Sequence, residues 1–416
     1  MCARFLDEKD DRSKLVVRIF EAMRKGMTVT PGGISFSSLE PLAYRHILSE
    51  YATFNDDVAM EDRYRLSERA MHRALGEEAF SLRRLNDILD DEEKQYLKRP
   101  LEKYRILSSW NVPAEFIEKP IELNGARIRF PHAAPSDLQL SDTMNRRIAE
   151  MLMGRGIPRN YAPVTVQCTG RTLSAAFESG LTALANLRSL LNLKVNLGVA
   201  FSYSFGQRPR MINRIVPGPF TTIHPEAGGL ADEAFWYEPD YVGPADIVKD
   251  KAPVGDVAFA DDVASKIQLR DRRTGLWYLL RRYNYACDLE NFDLAIVQLW
   301  SVLEELCSRK AKSVEVARRV GFLFRDSDLH TDIVTAIADY RNRHIHEGRS
   351  SSSRDSVVHL LRTYVEQALM FQINNFPGGK SIAETADFLA LPLDMHELSA
   401  RIALLERAKQ FRSPHE

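Results

Sequence analysis

Arg341-Asn342-Arg343-His344-Ile345-His346-Glu347-Gly348 closes an amphipathic run in which Ile333, Ala336, Ile337 and Tyr340 recur at helical spacing. Gly348, with Ser350 to Ser353 behind it, reads as the helix stop. A cluster of cations and imidazoles therefore stands in the last turn of a helix. The carbonyl end of the helix dipole favours positive charge there, which tends to raise a histidine pKa. A histidine poised near neutrality beside an always-charged arginine suits proton transfer on a phosphodiester. Asn342 and His346 are four apart and share a helix face. Arg341, five before His346, lies about 140° round from it on ideal geometry. Two motifs facing each other across a twofold axis would let each cleft be lined from two directions.

Outward from the motif the chain reads as helices. Leu276 to Ala286 predicts one, and Phe292 to Cys307 the next, with Ile296, Leu299, Trp300, Leu303 and Leu306 as its stripe. A short helix over Val314 to Phe324 precedes the motif helix, and Val357 to Ile373 follows it. Together residues 262–378 predict a compact helical bundle. Beyond Pro377-Gly378-Gly379, residues 379–416 form a helical extension whose narrow stripe is Met395, Leu398, Ile402 and Leu405.

The motif resembles the R-x(4–6)-H signature of the HEPN superfamily, as Arg341-Asn342, three residues, then His346. Its surroundings are similar to the Apea-like branch of that family. Leu299-Trp300-Ser301-Val302-Leu303-Glu304 resembles the second-helix segment, and Tyr340-Arg341-Asn342 with His346-Glu347-Gly348 resembles the end of the third helix. The resemblance covers roughly residues 262–378. It implies an all-α HEPN bundle that acts as a homodimer, and a metal-independent endoribonuclease with no cofactor. In that chemistry a ribose 2′-hydroxyl attacks the adjacent phosphorus, and the products are a 2′,3′-cyclic phosphate and a 5′-hydroxyl. His346 then moves the proton, Arg341 stabilises the phosphorane charge, and Asn342 orients the imidazole or bonds a phosphate oxygen. Glu304 stands where the family often has an acidic residue and would orient Arg341. Arg343, His344, Arg309, Lys310 and Lys312 are the candidate RNA contacts. Apea-like HEPN proteins resemble abortive phage-defence effectors, which makes RNA the partner and transfer RNA a candidate substrate. Family toxins silenced by adenylylation carry a Tyr two residues after the His, where this chain has Gly348. Control is therefore expected from the chain's own amino-terminal region, answering a phage-derived trigger.

Each of these residues also has a plainer role. His346 could be a dipole-stabilising cation, Arg341 an ion-pair partner of Asp339 or Glu347, and Glu304 a surface carboxylate. Trp300 reads as core. His344 and His346 could join His330 or His359 on a metal, but no Cys or carboxylate spacing supports that. Between 309 and 349 nine Lys and Arg, with Arg318, Arg319 and Arg325 among them, stand against six Asp and Glu. That excess is either a surface that guides RNA or a solvated face. The alternative function is a non-catalytic RNA-binding or dimerisation module.

The rest of the chain sets the frame. It has 416 residues, 44% of them apolar, and a net charge of -1, so a whole-chain basic signature for nucleic acid is absent. Cys2, Cys168, Cys287 and Cys307 have no zinc spacing and read as reduced thiols. Met1 to Arg12 lacks the apolar core of a signal peptide, and no apolar run approaches a membrane span. The expectation is a cytoplasmic protein that does not meet a membrane. Its fold class is α+β and multidomain: a helical region over 1–100, an α+β sensor domain over 101–260, the bundle, and the extension. Within the first region Thr28 to Gly33 reads as a loop, whose Gly pair is far more readily a turn than a phosphate cradle. In the second, Arg105-Ile106-Leu107 and Ala162 to Gln167 read as extended, and Ile121 to Phe130 alternates around Asn124-Gly125 as a hairpin. Thr172 to Leu191 predicts a long apolar helix, Phe201 to Phe205 a strand, and Asp250 to Asp256 a linker.

Overall fold

The computed structural model describes the chain except residues 1–2, 6–11, 31–32, 37–39, 78–80, 139, 141, 153–157, 159, 198–210, 231–234, 239–240, 242, 250, 308–311, 348–353 and 414–416. At 27–30, 33–36, 40–42, 142–144, 235, 271–274 and 344–347 it describes the backbone alone. The expected strand over Phe201 to Phe205 lies outside the described residues.

Amphipathic α1 (Ser13–Lys25) is followed by a hairpin of β1 (Met27–Thr30) and β2 (Gly33–Phe36), then α2 (Glu40–Ser49), α3 (Met60–Leu75) and α4 (Leu82–Leu97). Phe20, Met23, Leu48, Leu66, Met71, Leu85 and Ile88 from the four helices form a core of their own. The hairpin corrects the loop expected at Thr28 to Gly33. Met27 pairs with Phe36 and Thr30 with Gly33, so most of the expected loop is two short strands, the first of them carrying β-branched Thr28, Val29 and Thr30.

Next come β3 (Glu102–Trp110), β4 (Ile121–Leu123), β5 (Ala126–Arg129), α5 (Asp142–Met151), β6 (Ala162–Gly170), α6 (Leu173–Leu197), β7 (Phe220–Pro225) and β8 (Phe235–Tyr237). Their sheet is antiparallel throughout, in the order β4-β5-β6-β3-β7-β8. Asn124 and Gly125 take positive φ, 51° and 77°, the two left-handed residues that a type I′ turn between β4 and β5 requires. The central pair, β3 and β6, runs in register from Glu102–Gly170 to Trp110–Ala162. Alternation puts Ile106 and Trp110 of β3, with Val164, Val166 and Cys168 of β6, in the core that α6 covers. Gly170 makes the turn into α6 possible. A Cβ there would stand 2.3 Å from the Ala176 nitrogen.

The carboxyl-terminal half is helical: α7 (Val254–Thr274), α8 (Leu276–Asp288), α9 (Phe292–Cys307), α10 (Ser313–Gly321), α11 (Ser327–Glu347), α12 (Arg354–Asn374), α13 (Ile382–Phe388) and α14 (Met395–Arg412). The linker expected over Asp250 to Asp256 is shorter than read, because α7 already begins at Val254. Pro253 precedes its first turn, and its carbonyl accepts from Asp256 N at 2.9 Å, so the proline is an entry to the helix. Leu187 and Leu190 of α6, Tyr283 of α8, Trp300 of α9 and Leu361 and Leu369 of α12 join the sheet residues in one continuous core. The amino-terminal core is separate from it. Polar contacts join α3 to the start of α6: Thr172 Oγ1 donates to Asp62 Oδ2 at 2.7 Å, and Arg65 Nη1 to Ser174 Oγ at 2.7 Å. The class is thus mixed α+β with a helical carboxyl-terminal region. Among the described residues no helix is long and apolar enough to cross a membrane.

The turn into α6 gives a direct test. Gly170→Ala is expected to cost about 1–3 kcal/mol through backbone crowding, read as a lowered midpoint in denaturant unfolding. Gly255→Ala, where a Cβ meets nothing within 4 Å, is the matched control and should leave the midpoint unchanged or raise it.

Candidate functional site

Trp300 and Glu304 stand one turn apart on α9. The indole is fully buried, so its N–H needs an acceptor close by. Glu304 supplies it: Trp300 Nε1 donates to Glu304 Oε1 at 2.6 Å. Against this pair α11 brings Arg341. Its guanidinium carbon lies 5.3 Å from the centroid of the Trp300 ring, and Nη2 is 3.8 Å from Glu304 Oε1. The ring face attracts the cation, and the carboxylate draws it from the side. The Arg341 side chain keeps 19% of its exposure. Its Nε has no hydrogen-bond partner among the described residues.

The same stretch of α11 is tied to the start of α9. Asn291 caps α9, its side-chain oxygen accepting from Asp293 N at 3.0 Å and Leu294 N at 3.3 Å. Asp293 is 5% exposed and sits in the first turn, where the helix dipole favours an anion. It accepts from Tyr340 Oη at 3.3 Å and forms an ion pair with Arg354 Nη1 at 3.7 Å. Tyr340 immediately precedes Arg341, and Arg354 opens α12. One buried carboxylate therefore ties α11 and the start of α12 to the first turn of α9. Nearby, His359 of α12 lies edge-on to Phe292, with centroids 6.1 Å apart. Burial pushes its pKa down to about 4, helped by the Arg362 charge and opposed by Asp355.

The residues singled out in the sequence fall as follows. Arg341 and Asn342 are half-buried at the end of α11 and Arg343 is exposed. The helix continues through positions 344 and 346 to Glu347, while the side chains of His344 and His346 lie outside the described residues. So do Arg309, Lys310 and Gly348. Lys312 is exposed at the start of α10, and Arg318 and Arg325 are exposed further on. Arg319 does not belong to that basic face. It is 7% exposed, donates from Nη1 to the Cys307 carbonyl at 2.6 Å, and pairs with Glu315 at 2.6 Å. It caps the carbonyl end of α9. His330 engages Tyr364 Oη through Nδ1 at 2.8 Å and stacks on Phe324. Among the described residues no group of three or more His, Cys, Asp or Glu could hold a metal ion.

Asp293 and Arg354 carried no signal in the sequence beyond a capping pattern after Asn291, because their partners lie on other helices. No family model, curated protein or solved structure matches the chain.

The half-buried imidazole sets a pH dependence. The folded pKa of His359, about 4, lies below the value near 6.5 of an unfolded chain. The unfolded state therefore takes up the proton first as pH falls. The contribution is whole above about pH 6.5 and is lost progressively toward pH 4. His359→Gln should flatten the dependence of unfolding free energy on pH across that window.

Proposed function

We propose that the chain is a metal-independent RNA endoribonuclease of HEPN type, acting as a homodimer through its helical bundle. Its resemblance to Apea-like proteins suggests a phage-defence role, with a trigger received by the amino-terminal region. The observation that supports the reading best is the hold on Arg341. A phosphorane needs a fixed cation, and preorganised charge acts without reorganisation at the moment of reaction. Trp300 and Glu304 restrain the guanidinium from one face and one edge. Arg341 then stabilises the charge building on the phosphate, and His346 moves the proton between the 2′-hydroxyl, the 5′-oxygen and solvent. On a regular helix position 346 lies about 140° round and about 7.5 Å along from position 341, so the groups that meet on one phosphate come from two copies of the motif.

The same hold on Arg341 suits a second reading, in which the ion pair is a strut and the bundle binds RNA or a second copy without cutting. The readings separate in one experiment. Purified protein is incubated with total RNA in chelator and the new ends are mapped. The nuclease should leave 2′,3′-cyclic phosphate and 5′-hydroxyl ends and spare DNA, which lacks the 2′-hydroxyl. Arg341→Ala should lower cutting by about 100- to 1,000-fold and His346→Ala should abolish it, with the melting curve of each near that of the parent. A strut predicts the reverse for Arg341→Ala: lower stability and no loss of any cleavage.

Glu304→Gln keeps an acceptor for the indole and removes the charge beside Arg341. It should lower kcat by roughly 10- to 100-fold through misplacement of the guanidinium, while KM changes little. Unchanged kcat would show that Glu304 does not position Arg341.

A further inference from the structure

The carboxyl-terminal helix α14 carries no buried residue. Met395, Ile402 and Leu405 are 71%, 50% and 64% exposed, and Leu398 is half-buried between them. Their spacing of three and four puts them on one face. Most helical stability in proteins comes from packing an apolar face, and contiguous exposed apolar residues mark an interaction surface. The helix also has unlike ends. Asp394, whose side chain accepts from Glu397 N at 2.8 Å, and Glu397 occupy its start, and Lys409 and Arg412 its last turn.

We propose that this face pairs with α14 of a second copy of the chain, the two helices running antiparallel over their full length. A twofold axis between positions 403 and 404 sets Ile402 of one copy against Leu405 of the other. It sets Leu398 against the stem of Lys409, and Met395 against the stem of Arg412. The acidic start of each helix then lies beside the basic end of the other, and Glu397 neighbours Lys409. Every contact occurs twice, as an isologous interface demands, and a parallel pairing would instead set like charges together. Lysine and arginine stems cover apolar surface while their cations stay in water. Leu404 and Phe411 lie about 180° from Ile402, outside this seam. The pairing also joins two bundles, because α13 just ahead of α14 is seated on the bundle by Phe388, which stacks on Phe371 and meets Phe322 edge-on. A single pair of helices of about 27 Å is a small interface, so it adds to the bundle contact and does not replace it.

The test is the mass of the full-length protein by sedimentation equilibrium, a readout independent of RNA cleavage. The parent should move from monomer to dimer with concentration. Ile402→Glu with Leu405→Glu should weaken the dimer at least tenfold with an unchanged melting curve, since neither residue is buried in one copy. Leu404→Glu, on the opposite face, should dimerise as the parent does. Glu397→Lys and Lys409→Glu should each weaken the dimer, and the two together should restore it. A parent that stays monomeric, a dimer indifferent to the double glutamate, a Leu404→Glu that dissociates as readily, or paired reversals that fail to restore would each overturn the proposal. A double glutamate that leaves the dimer untouched would overturn this interface alone, and the mapping of cut RNA ends would still stand as the separate test of the nuclease.

Discussion

Arg188 and Asp288 meet in a two-pronged ion pair at 2.9 and 2.7 Å, inside the seam between α6 and α8. Around it runs a set of buried asparagines that leaves few alternatives for the packing. Asn213 Nδ2 lies 2.8 Å from both the Asn284 carbonyl and Asp288 Oδ1. Asn192 donates to the Ile215 carbonyl and accepts from Ile215 N. Asn196 donates to Asn213 Oδ1 and reaches Tyr283 Oη, which donates to Glu366 of α12 at 2.5 Å. Burial raises the Glu366 carboxyl to about 6, against the Arg362 charge and the Tyr283 hydrogen bond. An apolar seam between these elements would tolerate sliding. A chain of paired polar groups does not, since a slip of one turn leaves buried donors unsatisfied.

That constraint gives the sheet and the helical half a single body. The core is continuous from Val166 of the sheet through Leu187 to Trp300 and Leu369, and α6 touches the sheet, α7, α8 and α12 as well as α3. The amino-terminal helices are joined differently. Their core closes on itself, and Asp62 and Arg65 of α3 meet the start of α6 through hydrogen bonds. Water can replace such contacts at modest cost, whereas it cannot replace a shared apolar core.

Local chemistry made some of this legible in the sequence and hid the rest. Asn124-Gly125 announced its hairpin because no other dipeptide suits two positive φ values so well. The stripe from Ile296 to Leu306 announced α9, whose ends at Phe292 and Cys307 fall as the periodicity predicts. Thr28 to Gly33 misled because Pro-Gly dominates any window as short as the strands beside it. The asparagine network was invisible for a different reason. Asn192 and Asn284 are 92 residues apart, and each alone looks like a residue for a helix surface. Arg319 likewise read as part of a basic face, when its fork is divided between the end of α9 and Glu315.

The contrast between two arginines bears most on the candidate site. Arg188 is matched in plane by a carboxylate that takes two of its hydrogen bonds, which leaves little of the fork for anything else. Arg341 has a carboxylate beside it too, but Glu304 Oε1 is taken by the Trp300 N–H at 2.6 Å and stands 3.8 Å from Nη2, beyond hydrogen-bond reach. Charge restrains this guanidinium without using up its donors. The ring face beneath fixes its tilt and adds no competing acceptor. A cation held that way is fixed in direction yet can still offer its Nη N–H groups to the oxygens of a phosphate. The proposed reaction asks that of Arg341.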